Sequence, residues 1–196
     1  LGVAFAEEGA ALRRGGIKAP IHVFTLPSRS QVALYAEHRL EATVCSLIDC
    51  QILDSVGTKF RKTIPVHLKI DTGMNRIGVK TGGIRSLLRA IAKLKRIEIK
   101  GVFTHFATSD ARDKRFARGQ LSQFLQGLDV LRAERVEPEL VHAANSGAIL
   151  DLPESRFSMV RPGIISYGYY PSHETSRSIP LKPAMKLRTI VALVKR

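Results

Sequence analysis

A polar stretch at residues 66–71 carries the side chains best suited to chemistry in this sequence. Side chains alternate along a strand, so His67, Lys69 and Asp71 share one face and the aliphatic residues between them share the other. If the strand belongs to a barrel, the aliphatic face packs against helices and Lys69 points inward. A buried ammonium needs a partner or must be neutralised. The sequence leaves two interpretations of Lys69 open, a structural salt bridge and a functional role.

Four predicted strands are followed by groups that bind anions or polar ligands. Arg76 lies in the loop TGMNRIG after the strand at 66–70, and His105 ends the strand at 101–106. Asn145 and Arg161 each follow a further predicted strand. The carboxyl ends of parallel strands share one edge, where barrels place their sites, so we expect these side chains to converge.

A small phosphate cradle is predicted beside these groups. The backbone amides of Gly163 and Ile164 and the hydroxyl of Ser146 are donors at turns, where anions bind well. Each signal alone has a plainer interpretation, since a single strand-end histidine is usually structural and Arg-Pro-Gly is usually only a turn. Together they indicate a phosphorylated ligand over the mouth of the sheet. No metal site is predicted.

Strands alternate with helices along the whole chain. This pattern predicts a parallel sheet covered by helices, either open and doubly wound or closed into a barrel. Seven strands are predicted, at 3–5, 21–24, 42–45, 66–70, 99–106, 140–143 and 157–160. A (β/α)8 barrel has eight and the chain starts abruptly in a strand, so we expect a barrel that lacks its first strand–helix unit.

Two regions are expected in the chain. Residues 1–172 are predicted to form the incomplete barrel domain, and residues 173–196 a linker and the first strand of a C-terminal β domain, also incomplete. The basis for the second is the stretch 185–194, which mixes polar and β-branched residues.

Composition and charge exclude several classes of protein. With 44% hydrophobic and 24% charged residues among 196, the chain is expected to fold rather than be disordered. No apolar run approaches the roughly 18 to 20 residues of a membrane span, and no secretory signal is recognised, so we expect no membrane partner and a cytoplasmic location. Cys45 and Cys50 are expected to be buried thiols rather than a disulfide or zinc ligands.

The formal net charge of +14 raises the question of nucleic acid binding. The basic residues gather on predicted surface helices, where solvated faces are the plainer explanation. We therefore expect no nucleic acid partner and keep a nucleic-acid-binding module only as a distant alternative.

Several runs of this sequence resemble those of one enzyme family. Residues 67–78, HLKIDTGMNRIG, closely resemble the signature of alanine racemases. Further matches follow in order: THFA at 104–107 with Asp110, HAANSGA at 142–148, VRPGI at 160–164, Tyr167-Gly168 and Pro171-Ser172. The resemblance covers essentially the whole chain. It implies a fold-type III pyridoxal phosphate (PLP) enzyme, a (β/α)8 barrel followed by a β-rich domain, working as a homodimer.

The resemblance also implies an activity, which is that of the family. The family interconverts L-alanine and D-alanine through PLP by a two-base mechanism and supplies D-alanine for peptidoglycan. By position, Arg161 would donate to the PLP pyridine nitrogen and restrain the cofactor as an electron sink. His105 would lie against the cofactor.

The remaining roles are implied in the same way. Ser146 and the amides of Gly163 and Ile164 would hold the phosphate, and Asn145 belongs to the same cofactor-binding segment. Arg76 would approach the phenolic oxygen and the substrate carboxylate. Lys69 corresponds to a lysine that carries a carbamate in several members, an anion able to orient Arg76.

Two family residues have no counterpart in these 196 residues. The family forms its Schiff base with a lysine in a Lys-Ala-Asn-Ala-Tyr-Gly pattern on the first barrel strand, and its second base is a tyrosine of the partner subunit's C-terminal domain. Neither motif is present, so we expect this chain alone to be inactive. A racemase of broader specificity and a non-catalytic PLP-binding barrel protein remain as alternatives.

Overall fold

The computed structural model describes residues 1–195 and contains one parallel sheet of six strands in sequential order. Helices connect the strands, which makes the fold an incomplete (β/α)8 barrel, as the alternating pattern predicted. The strands are β1 Gly2–Val3, β2 His22–Val23, β3 Glu41–Val44, β4 Ile64–Lys69, β5 Ile97–Phe103 and β6 Leu140–His142.

Six α-helices cover one face of this sheet, and sequence signals explain where several of them begin. They are α1 Ala6–Arg14, α2 Val32–Glu37, α3 Leu47–Phe60, α4 Ile84–Ile91, α5 Arg115–Ala133 and α6 Ser146–Asp151. A capping box starts α3, because Ser46 accepts a hydrogen bond from the Asp49 amide and Asp49 accepts one from the Ser46 amide. The Asn145 side chain caps α6 by accepting from Ala148.

The two faces of β4 divide as their alternation predicted. Leu68 and Ile70 are fully buried in the apolar core under the helices. His67 and Lys69 lie on the opposite face, in the barrel interior, with 0% and 5% of their surfaces exposed. The interior is unusually polar, and its buried histidines and carboxylate come from β2, β3, β4 and β6: His22, Glu41, His67 and His142.

Two strand predictions within the barrel need correction. The expected strand at 157–160 is only an isolated bridge between Met159 and His142. In a regular ladder the Val141 amide would donate to a backbone carbonyl of the neighbouring strand. Here it donates to the Ser158 hydroxyl instead, so the ladder does not continue. The fifth strand ends at Phe103, so His105 lies in the following loop. There the Gln120 side chain bonds the His105 carbonyl and the Ala107 amide in place of a strand partner.

Residues 186–195, near the C-terminus, are exposed to solvent. Between Gly168 and Lys195 the structure has no helix or strand, so the strand expected at 185–194 is not formed in the described part of the chain. Leu187 is 98% exposed, and no partner strand lies beside it within residues 1–195. The proposed division at residue 172 stays a prediction.

Other expectations concern the thiols and the membrane. Cys45 and Cys50 are both free, the first half-buried and the second buried, and burial raises the pKa of Cys50 to about 12. Among residues 1–195, every helix is too short or too polar to cross a bilayer.

A glycine in β5 makes room for a buried histidine. A Cβ on Gly101 would lie 2.2 Å from His67 Nδ1, so any side chain there displaces the imidazole. We predict that Gly101→Ala destabilises the protein by about 1–3 kcal/mol, the usual range for overpacking. Gly119→Ala is the control, because nothing lies within 4 Å of its Cβ position on an exposed helix; it should stabilise by about 0.5–1 kcal/mol. Urea unfolding measures both, and equal effects would contradict the packing argument.

Candidate active site

A cavity of about 580 Å³ lies at the carboxyl ends of the strands. Its size suits a small cofactor with substrate. Seven of the eight predicted site residues line it, namely Lys69, Arg76, His105, Asn145, Ser146, Arg161 and Gly163. The eighth, Ile164, is not among the lining residues and its side chain is 41% exposed.

Sequence reasoning missed an apolar side of this cavity. Ala4 follows β1 directly, and Phe24, Thr25 and Leu26 follow β2. Because sites of such barrels lie at the carboxyl ends of the strands, these positions could have been predicted from the sequence as part of the cavity. They were overlooked because none of them carries a charge.

The loop that carries Arg76 is closed at its base. Val79 makes both backbone bonds: its carbonyl accepts from the Asp71 amide at 2.9 Å, and its amide donates to the carbonyl of Lys69, the last residue of β4, at 2.9 Å. The Asp71 carboxylate accepts from the amides of Gly73 and Asn75 inside the loop. This closure directs Arg76 to the rim of the cavity, where it is exposed to solvent.

Lys69 has no ion-pair partner within residues 1–195, which argues against the structural salt bridge. Burial, followed by the charges of Arg76 and Arg161, lowers the pKa of Lys69 to about 8. Its Nζ lies 5.4 Å from the centroid of the Phe103 ring, and the Arg161 guanidinium carbon lies 5.5 Å from the same ring. The two cations thus share one aromatic side chain.

Three hydrogen bonds hold the Arg161 guanidinium. Nη1 donates to His142 Nδ1 at 2.7 Å, and Nη2 donates to the carbonyls of Thr104 and Ala143 at 2.7 and 2.9 Å. Burial lowers the pKa of Arg161 only to about 10, so the side chain stays protonated at neutral pH. An arginine has five N–H groups, which leaves two for a ligand.

His105 supplies a neutral imidazole. Burial, together with the charges of Arg161, Lys69 and Arg76, lowers its pKa to about 4. Because a cationic imidazole would repel three neighbouring cations, His105 stays uncharged across the physiological range. A neutral ring of this kind is suited to pack on an aromatic ligand.

Only part of the expected phosphate cradle is free to bind. The Gly163 amide donates to the Arg161 carbonyl at 2.9 Å, so it is already occupied. Ser146 is buried and its Oγ lies 3.5 Å from the Ile165 amide. Within the described residues the Ile164 amide, at the start of the 3-10 turn Ile164–Tyr167, has no acceptor. The Ser146 hydroxyl and the Ile164 amide are therefore the available donors.

The electrostatics of the cavity favour an anion. Lys69, Arg76 and Arg161 all line it, and none of its lining residues is acidic. A ligand with more than one negative group suits this arrangement, because it neutralises cations that otherwise repel one another.

Comparison with known proteins identifies the family of this chain. The family described as "Alanine racemase, N-terminal domain" matches residues 1–171. The chain belongs to the alanine racemase family. Curated alanine racemases from Clostridium novyi and Treponema denticola are 43% and 40% identical over the whole chain. The chain spans about half the length of the curated relatives it matches, 51% and 52% of these two.

Solved structures give the same result for the fold. The alanine racemase of Clostridium difficile 630 in complex with cycloserine has a TM-score of 0.91 and 34% identity, covering 94% of this chain and 51% of that one. A histidine racemase from Leuconostoc mesenteroides has a TM-score of 0.84 and 27% identity, covering 93% and 49%. The similarity to alanine racemases confirms the incomplete barrel.

The low pKa of Lys69 predicts a pH-dependent stability. The unfolded chain has an ordinary lysine pKa, so it binds more protons than the folded chain between pH about 8 and about 10.4. Stability from this group therefore rises as pH rises through that window. Lys69→Met removes the buried charge and should be more stable than the wild type at pH 7, with a gap that narrows towards pH 10.

Urea unfolding between pH 7 and 10 measures this gap. Lys95→Met, at an exposed lysine, is the matched control and should follow the wild-type profile. A wild-type to Lys69→Met difference that stays constant with pH would show that Lys69 titrates normally.

Proposed function

We propose that the full-length gene product containing this chain is a PLP-dependent alanine racemase. The observation that carries the proposal is Arg161, which is protonated and held in place by three hydrogen bonds. The cavity around it is lined by cationic and neutral side chains and by no acidic one. The family relationship supports the same activity.

The residues present fit the cofactor. The unpartnered Ile164 amide and the buried Ser146 hydroxyl are donors for its phosphate, beside the capping Asn145. Gly163 leaves the space over Ser146 open, since a Cβ there would stand 3.6 Å from Ser146 Oγ. Arg161 retains two N–H groups for the pyridine nitrogen. When bound, PLP supplies an electron sink that makes the α-proton of an amino acid acidic.

Each cavity residue then has a role. Arg161 keeps its proton, so it would donate a hydrogen bond to the pyridine nitrogen of PLP without protonating it fully, which would favour racemisation over transamination. Arg76 binds the substrate carboxylate at the rim. Lys69, with its pKa lowered to about 8, offers a neutral amine that could add dissolved CO2 and release one proton to solvent, and the resulting carbamate anion would orient Arg76.

The two groups that move the proton are proposed to lie outside these 196 residues. The family's Schiff-base lysine and the partner subunit's tyrosine have no motif here. We therefore propose a homodimer that works in the cytoplasm and supplies D-alanine for peptidoglycan, and an inactive chain when it is made alone.

The test is a racemisation assay with PLP. The full-length gene product should convert L-alanine to D-alanine, and the 196-residue chain should give no turnover because it lacks both bases. A chiral assay of the alanine pool measures both. Inactivity of the full-length product with bound PLP would overturn the proposal, and turnover by the chain alone would overturn the assignment of the bases.

A broader substrate range is the second candidate function. A solved structure with the same fold belongs to a histidine racemase. The apolar side of the cavity, formed by Ala4, Phe24 and Leu26, is chemically suited to contact an apolar substrate side chain larger than methyl. For an alanine enzyme we expect kcat/KM for alanine to exceed that for serine, lysine, arginine and histidine by at least about tenfold; comparable values would establish the broad-specificity alternative.

A further inference from the structure

A chain of four hydrogen bonds crosses the barrel interior from the cavity to its opposite end. Arg161 Nη1 lies 2.7 Å from His142 Nδ1, and His142 Nε2 lies 2.9 Å from His67 Nδ1. His67 Nε2 lies 2.9 Å from Glu41 Oε2, and Lys100 Nζ lies 2.7 Å from Glu41 Oε1. The three central residues are buried, with 0%, 0% and 5% exposed.

The chemistry of the end groups fixes the direction of every bond. An arginine only donates, so His142 Nδ1 accepts and the His142 proton is on Nε2. That proton is donated to His67 Nδ1, which places the His67 proton on Nε2. Glu41 then accepts from His67 on one oxygen and from Lys100 on the other. In each of the three bonds from Arg161 to Glu41, the residue nearer Arg161 is the donor and the residue nearer Glu41 is the acceptor.

The protonation states agree with this direction. Burial, with the charges of Arg161 and His67, lowers the pKa of His142 to about 2, so it is neutral. Burial alone would raise the pKa of Glu41, but the hydrogen bonds from His67 and Lys100 outweigh it and lower the pKa to about 2. Glu41 is therefore a carboxylate in the barrel interior.

The three buried histidines of the interior could also be considered as a metal site, but their hydrogen bonds disfavour it. Ligand atoms of His22, His67 and His142 lie within 4.8 Å of one another. His67 and His142 already use both ring nitrogens, and His22 Nε2 bonds the Thr43 hydroxyl. Within residues 1–195 only His22 Nδ1 is left. A metal ion would break the bonded chain and would face the charge of Arg161.

We propose that Glu41 is a positioning residue for Arg161, because it fixes His67 and His142 as Nε2–H tautomers and so presents Arg161 with an acceptor. The inference rests on the proposed function, in which Arg161 meets the cofactor. Arg161 has no direct carboxylate partner within the described residues, so Glu41 is the acid that balances it, through two neutral rings. Reversal of the tautomers would set an N–H of His142 against an N–H of Arg161.

Glu41→Gln tests the direction of the chain. The Lys100 ammonium can bond only the amide oxygen, which leaves the amide NH2 group facing His67. His67 Nε2 must then accept, and the proton positions of both histidines reverse to Nδ1–H. The Arg161 bond to His142 is lost, and we expect PLP affinity to fall about tenfold with a larger share of transamination.

The double variant Glu41→Gln/Lys100→Met supplies the rescue. Without the ammonium, the amide oxygen is free to turn towards His67 and restore the original direction. Glu134→Gln is the matched control for replacing a carboxylate by an amide, because Glu134 pairs with Arg89 at the surface and lies outside the site.

The measurement is the 15N chemical shifts of the histidine ring nitrogens in the full-length gene product, assigned with His67→Gln and His142→Gln. The expected result is two Nε2–H tautomers in the wild type and the control, reversal in Glu41→Gln, and recovery in the double variant. An Nδ1–H form in the wild type, no change in Glu41→Gln, or no recovery would each overturn the proposal.

Two features keep the outcome decisive. If Glu41→Gln does not fold, the wild-type spectrum still tests the proposal, since an Nδ1–H form of either histidine overturns it. Racemisation and PLP binding by the wild type are measured in parallel. Normal tautomers without racemisation reject the proposed function alone, whereas racemisation with unchanged tautomers in Glu41→Gln rejects only the role of Glu41.

Discussion

A protonated guanidinium held in the barrel interior without a carboxylate in contact is the constraint that organises this structure. Arg161 is fixed by two carbonyls, Thr104 just after β5 and Ala143 just after β6, and by the His142 ring. All three depend on the pairing of β5 with β6, in which Phe103 is opposite His142. The register of the sheet therefore determines where Arg161 presents its remaining N–H groups.

Packing around His67 explains how a polar interior is tolerated. The β4–β5 pairing shifts register between Val66 and His67, and the absent side chain of Gly101 leaves the imidazole its space. His22 stacks on His67 with ring centroids 4.1 Å apart. Aromatic contacts and the hydrogen bonds of His67 and His142 together replace the aliphatic layers that usually fill a barrel of this kind.

The sequence predicted those parts of the fold that depend on local patterns. Alternation placed His67 and Lys69 on the interior face, and strand ends located the cavity. The errors occurred where a distant side chain replaces backbone pairing, as Gln120 does after β5 and Ser158 does beside β6. Glu41 was missed because its partners, His67 and Lys100, are 26 and 59 residues away and no spacing rule links them.

The positive charge of the cavity depends on the hydrogen-bond partners of a nearby carboxylate, that of Asp71. Asp71 is two residues from Lys69, yet its carboxylate is committed to the amides of Gly73 and Asn75 and to the Lys80 ammonium at 2.7 Å. The loop is held closed by the group that would otherwise neutralise Lys69. The other interior acid, Glu41, is at the far end of the histidine chain. Among residues 1–195 the cations at the mouth therefore have no carboxylate partner, and the cavity remains suited to an anion.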